Sequence, residues 1–114
     1  MLVHSSAPTR LDLAGGTLDI WPLYLFHAGA QTLNAAITIR AECTLSTSED
    51  DAWHLRSQDT GESLTIRGLE DTPEASRHRL VFRLLQHFQP KPVTVVTRSD
   101  SPVGAGLAGS SALN

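Results

Sequence analysis

The stretch Ser99-Asp100-Ser101-Pro102-Val103-Gly104-Ala105-Gly106-Leu107-Ala108-Gly109-Ser110-Ser111-Ala112 constrains this chain more than any other. An apolar run over residues 92–97, with Val93, Val95 and Val96, leads into it and reads as a buried strand. A helix is expected to begin near Gly109. Glycines let backbone N–H groups turn inward as a nest, and a helix that follows points its positive end at the same place. Hydroxyls at Ser110 and Ser111 add donors or metal ligands. That chemistry suits a phosphate, especially one carried with Mg²⁺.

Two general motifs overlap the segment, and each is incomplete. Gly104-x-Gly106-x-x-Gly109 spells the dinucleotide fingerprint. In that fingerprint the strand runs almost directly into the first glycine, inside a βαβ unit. Here residues 98–102 intervene and no βαβ unit precedes them. The run from Gly104 to Ser111 also has P-loop glycine spacing, but Ser110 stands where the phosphate-binding lysine must be. A plain Gly/Ser loop is the remaining alternative.

Composition removes several classes. The chain has 114 residues, about the length of one domain. One cysteine, Cys43, cannot form an internal disulfide, so a disulfide-stapled secreted scaffold is excluded. A net charge of −3 with a single lysine, Lys91, argues against a nucleic-acid partner. No apolar run approaches the roughly 20 residues of a membrane span, and the first ten residues lack a secretory pattern. The expectation is a cytoplasmic chain of ordinary globular composition, with neither a nucleic-acid nor a membrane partner.

The remaining sequence predicts α+β architecture: a mostly antiparallel sheet with packed helices. Residues 2–5 alternate as a first strand, and Pro8 is expected to break it before a second alternation over residues 10–13. Gly15-Gly16 ends that strand. Residues 34–45, rich in β-branched side chains, predict a long strand. Residues 53–57 and 63–67 flank Asp59-Thr60-Gly61-Glu62 and predict a hairpin. A helix follows, with Thr72 as N-cap, Pro73 at the first position and Glu74 in the first turn. Its expected buried stripe is Leu80, Val81, Leu84, Leu85 and Phe88, with His78 and His87 on the solvent side. Cys43, in a strand, is expected to be a small buried hydrophobe, and His27 and His54 have no partner at metal-ligand spacing.

Two segments in register carry a more specific signal. Pro102, Gly104, Gly106, Leu107, Ser110 and Ser111 resemble the second motif of the galactokinase, homoserine kinase, mevalonate kinase and phosphomevalonate kinase superfamily (GHMP kinases). Ala7-Pro8-Thr9-Arg10-Leu11-Asp12-Leu13-Ala14-Gly15-Gly16-Thr17-Leu18-Asp19 resembles the first motif. The Gly-Gly form, with Asn34-Ala35-Ala36-Ile37 after it, is similar to the heptose-phosphate kinase and fucokinase branch. Galactokinase itself has Glu-His where this chain has Gly16-Thr17. Thr17 and Leu18 depart from the known patterns, so the sugar stays unassigned.

The resemblance implies an N-terminal domain of the ribosomal protein S5 domain 2-like fold, with residues 1–114 forming its first part. It implies ATP and Mg²⁺ as cofactors and a sugar or sugar phosphate as substrate, with the γ-phosphoryl passing to a hydroxyl. Arg10 would be the catalytic cation beside the reacting hydroxyl. Gly15, Gly16, Thr17 and Asp19 would bind substrate. Pro102, Gly104, Ala105, Gly106, Leu107, Ala108, Gly109, Ser110 and Ser111 would hold ATP, and Ser110 and Ser111 would meet the metal. A catalytic aspartate and a C-terminal domain would lie beyond Asn114, leaving the 114 residues inactive alone. Two other functions remain open: a kinase-like ligand sensor without transfer chemistry, and a dinucleotide-binding oxidoreductase.

Overall fold

The computed structural model describes residues 1–16, 18, 20–70, 78–102 and 106. Its strands are β1 (Leu2–Ala14), β2 (Leu33–Thr47), β3 (Trp53–Ser57), β4 (Ser63–Ile66) and β5 (Val93–Ser99). Its helices are α1 (Leu23–Phe26) and α2 (Arg79–Phe88). The strands form one sheet in the order β1-β2-β5-β3-β4.

The sheet is mixed. The Thr47 N–H donates to the Met1 carbonyl, His4 meets Thr44, and the Thr9 hydroxyl donates to the Ile39 carbonyl, so β1 and β2 are antiparallel. Ser48 N–H to Pro92 O and Asp100 N–H to Arg40 O make β2 and β5 antiparallel as well. β3 pairs antiparallel with β4 and parallel with β5, with Leu55 opposite Val95. A parallel neighbour needs a crossover, which the β4–α2 segment between β3 and β5 supplies. The architecture is therefore α+β, as the sequence predicts.

The chain divides into two compact units. The first comprises Met1–Ser6 and Glu42–Ser99. Its core is Leu55, Phe82, Leu85, Val93 and Val95, flanked by Cys43, Leu45, Trp53, Leu64, Ile66, Leu69 and Val81. Period-2 alternation sends Leu55, Val93 and Val95 into this core, while His54 and Arg56 sit on the opposite face of the sheet. Polar groups at the core's margin are satisfied locally. Trp53 Nε1 donates to the Pro90 carbonyl at 3.3 Å, and Gln86 Nε2 to the Leu69 carbonyl at 2.6 Å. α2 ends at Gln89 in the left-handed region, whose N–H returns to the Leu85 carbonyl just before Pro90.

The second unit comprises Ala7–Ala41 and Asp100–Asn114. Its described backbone is the later part of β1, the turn after it, α1, and the earlier part of β2. Thr9 and Ala41 are buried in it. α1 is a single turn, entered through Leu23 N–H to Ile20 O at 2.7 Å.

Three expectations need correction. Pro8 does not break the first strand: β1 runs unbroken from Leu2 to Ala14. β1 lies at the sheet edge, where a residue lacking an N–H is tolerated. The buried face of α2 keeps Leu85 and the partly buried Val81 of the expected stripe but is rotated from it toward Phe82. Phe82 is 0% exposed and Leu85 is buried, whereas Leu80 and Phe88 are exposed, Phe88 at 73%. His78, expected in solvent, is only 5% exposed, because it leads the same buried face one turn ahead of Phe82. The four-residue α1 was not anticipated. The proposed cap residues Thr72, Pro73 and Glu74 lie outside the described residues.

Candidate functional site

The glycine turn after β1 is built by close approach. The Leu18 N–H donates to the Gly15 carbonyl at 2.9 Å and closes it. Gly15 has φ +72°, a conformation that L side chains rarely adopt. A Cβ there would overlap the Gln31 carbonyl oxygen. Gly16 lies over Asp12: a Cβ at position 16 would fall 2.8 Å from Asp12 Cβ and 3.1 Å from Asp12 Oδ2. Both glycines are thus required by neighbours.

Arg10 lies on β1 two residues before Asp12, so both project from one face of the strand. Arg10 Nε is 3.1 Å from Asp12 Oδ1, with the side chains 40% and 25% exposed. The two contacting atoms are sealed from solvent. The buried Thr9 sits on the opposite face and donates its hydroxyl to the Ile39 carbonyl at 3.0 Å. That bond fixes the rotation of β1 and therefore the side from which Arg10 and Asp12 project. A cation, a carboxylate and a tight glycine turn meet here, a combination able to bind an anionic, hydroxyl-bearing ligand.

The second motif is described only at its start and at one glycine. Asp100 N–H donates to the Arg40 carbonyl at 3.1 Å and ties the beginning of the loop to β2. Pro102 is exposed. Gly106 has φ +69°, with nothing within 4 Å of where its Cβ would stand. This open, left-handed backbone fits the close approach of a phosphate. Thr17, Asp19, Gly104, Ala105, Leu107, Ala108, Gly109, Ser110 and Ser111 lie outside the described residues. Among the described residues no group of three or more His, Cys, Asp or Glu could hold a metal.

Sequence reasoning put Asp12 on the same strand face as Arg10 but gave it no role, and missed Gln31. Asp12 had a readable signal, its period-2 spacing from Arg10. Gln31 had none, because its carbonyl meets Gly15 across the intervening α1 segment. A separate open cavity of about 630 Å³ lies in the first unit, bordered by His54, Arg56, Thr65 and Thr94 among others. None of the motif residues line it.

The mixed sheet does not suit a dinucleotide-binding unit, which needs parallel strands about its glycine turn. No protein-family model matches the chain. It is 35% identical over 118 residues to a D-glycero-α-D-manno-heptose 7-phosphate kinase of Campylobacter jejuni, covering 97% of this chain and 34% of that protein. A D-glycero-D-manno-heptose 1-phosphate kinase from Bacteroides thetaiotaomicron superposes with a TM-score of 0.80 at 27% identity, over 99% of this chain and 38% of that one. Mevalonate kinase of Methanococcus jannaschii gives 0.74 at 15% identity over 99% and 37%, a likeness of fold alone.

The fold is thus that of the N-terminal part of a class of small-molecule kinases. Over its length the chain is similar to the N-terminal part of GHMP kinases, with heptose-phosphate kinases among its relatives. It spans about a third of the length of the relatives it matches.

Proposed function

We propose that this chain is the N-terminal part of an ATP-dependent kinase, cytoplasmic, that phosphorylates a hydroxyl of a sugar phosphate, with a heptose phosphate as the favoured substrate. The observation that carries the reading is the group formed by Arg10, Asp12 and the Gly15-Gly16 turn, in a chain 35% identical to a heptose 7-phosphate kinase.

In this reading the turn lets the sugar approach the backbone, Asp19 accepts hydrogen bonds from its hydroxyls, and Thr17 adds a hydroxyl that donates or accepts. Arg10 holds positive charge beside the reacting oxygen, where the developing alkoxide and the phosphoryl in transfer both carry negative charge. The backbone from Pro102 through Ser111 cradles the nucleotide phosphates, and Ser110 and Ser111 supply metal-ligating hydroxyls. ATP supplies the phosphoryl group, and Mg²⁺ neutralises its charge when bound. These 114 residues correspond to about a third of each relative's length, and the reading expects them to bind ligand without turnover.

The experiment is binding of a heptose 7-phosphate and of a non-hydrolysable ATP analogue to the chain by calorimetry, alongside ATP consumption by the intact reading frame with a panel of sugar phosphates. Saturable binding of both ligands, and turnover only in the intact protein, is the expected result. Binding of NADH in preference to the ATP analogue would overturn the reading.

A further inference from the structure

We infer that Asp12 is a positioning residue, holding the Arg10 guanidinium in place against the glycine turn where the anionic sugar binds; the inference rests on the kinase reading above. One carboxylate touches both halves of the site. Its Oδ1 lies 3.1 Å from Arg10 Nε. Its other oxygen, Oδ2, lies beneath Gly16, 3.1 Å from the place a Cβ would occupy. Gly16 is therefore the residue that leaves Asp12 room to reach Arg10.

The contact has properties expected of a positioning element. A guanidinium is planar, so an ion pair at its Nε edge limits the directions in which the plane can point. Arg10 Nε and Asp12 Oδ1 are sealed from solvent while both side chains keep exposed surface. Charge attraction is stronger where water is excluded, so the sealed edge anchors the group. A long side chain ordered before the ligand arrives loses less conformational freedom on binding. Thr9, pinned to Ile39 on the other face, prevents β1 from rotating the pair away.

The test is a double-mutant cycle on heptose 7-phosphate affinity, measured by calorimetry with wild type, Asp12→Asn, Arg10→Lys and the double variant, each checked for an unchanged urea midpoint. Asp12→Asn is expected to weaken binding roughly tenfold, the scale of a misplaced binding group. On the Arg10→Lys background the same change is expected to cost nothing further, because Asp12 acts through Arg10. Should Asp12→Asn unfold the chain, Asp12→Glu carries the same cycle, with about a threefold loss expected because the added methylene moves the carboxylate off Nε. Wild-type affinity in the Asp12 variant overturns the inference alone. So does an equal loss on both backgrounds, which would make Asp12 an independent ligand. Failure of the wild type to bind overturns the kinase reading and this inference together.

Discussion

The Gln31 carbonyl oxygen occupies the space that a side chain at position 15 would need, so Gly15 is fixed both by its φ of +72° and by its neighbour. Gly29 has a similar φ of +79° but nothing within 4 Å of its would-be Cβ. The pair separates conformational cost from steric cost. Gly29→Ala is expected to destabilise by about 1–2 kcal/mol, the penalty for a left-handed alanine. Gly15→Ala carries the same penalty plus displacement of backbone, and is expected to cost clearly more. Urea midpoints of the two variants check this, and equal shifts would contradict the account.

Phe82 and Phe88 lie six residues apart on α2 and differ in burial from 0% to 73% exposed. Phe82→Ala empties the centre of the first unit's core and is expected to cost about 3–5 kcal/mol. Phe88→Ala is expected to stay within about 0.5 kcal/mol of wild type. Thermal and urea unfolding would reveal the contrast. The reverse order would restore the stripe of Leu80, Val81, Leu84, Leu85 and Phe88 as the buried face.

Asp50 accepts hydrogen bonds from His54 Nε2 and from the Ser48 hydroxyl, each at 2.8 Å. The His54 bond first, and the Ser48 bond second, hold its carboxyl below the ordinary value of 3.8. A carboxylate whose pKa falls on folding contributes stability that is fully present above the unfolded-state value. That contribution is lost as the pH drops through the folded-state value. The expected outcome is an Asp50 side-chain titration, followed by ¹³C NMR, with a midpoint below 3.8 that rises toward it in His54→Ala. No movement in that variant would remove His54 as the main cause.

Cys43 is half-buried on β2 beside the core, and burial pushes its thiol pKa up. The thiolate is the reactive form, so the folded chain should react slowly. Alkylation by iodoacetamide at pH 8 is expected to be several-fold slower in buffer than in denaturing urea. Equal rates would mean that the strand does not shield the sulfur.

The hairpin of β3 and β4 was legible from sequence because its signals are local: a turn containing Gly61 between two short runs that alternate apolar and polar side chains. The long β2 and the valine-rich β5 were legible for the same reason. Pro8 misled because its missing N–H matters only when that side of the strand is paired, and sheet order decides that. α2 misled about its face because Leu80, Val81, Phe82, Leu84, Leu85 and Phe88 supply apolar residues around much of the helix. Helical periodicity alone could not choose between Phe82 and Phe88. Packing against Leu55, Val93 and Val95 chose Phe82, and took His78 with it.

The candidate site divides the same way. Sequence by itself determined the α+β class, Arg10 on a strand, and a glycine pair at that strand's end. It also placed Asp12 on the same face as Arg10, since a strand repeats every two residues. Only tertiary structure decided that Arg10 and Asp12 touch, that Gly16 leaves space for the carboxylate, and that Gln31 lies against Gly15. The glycine contacts depend on backbone positions brought together where the chain turns, and the Arg10–Asp12 contact on the conformations their side chains adopt there. Their energies come from close approach and exclusion of water, which no local pattern of residues encodes.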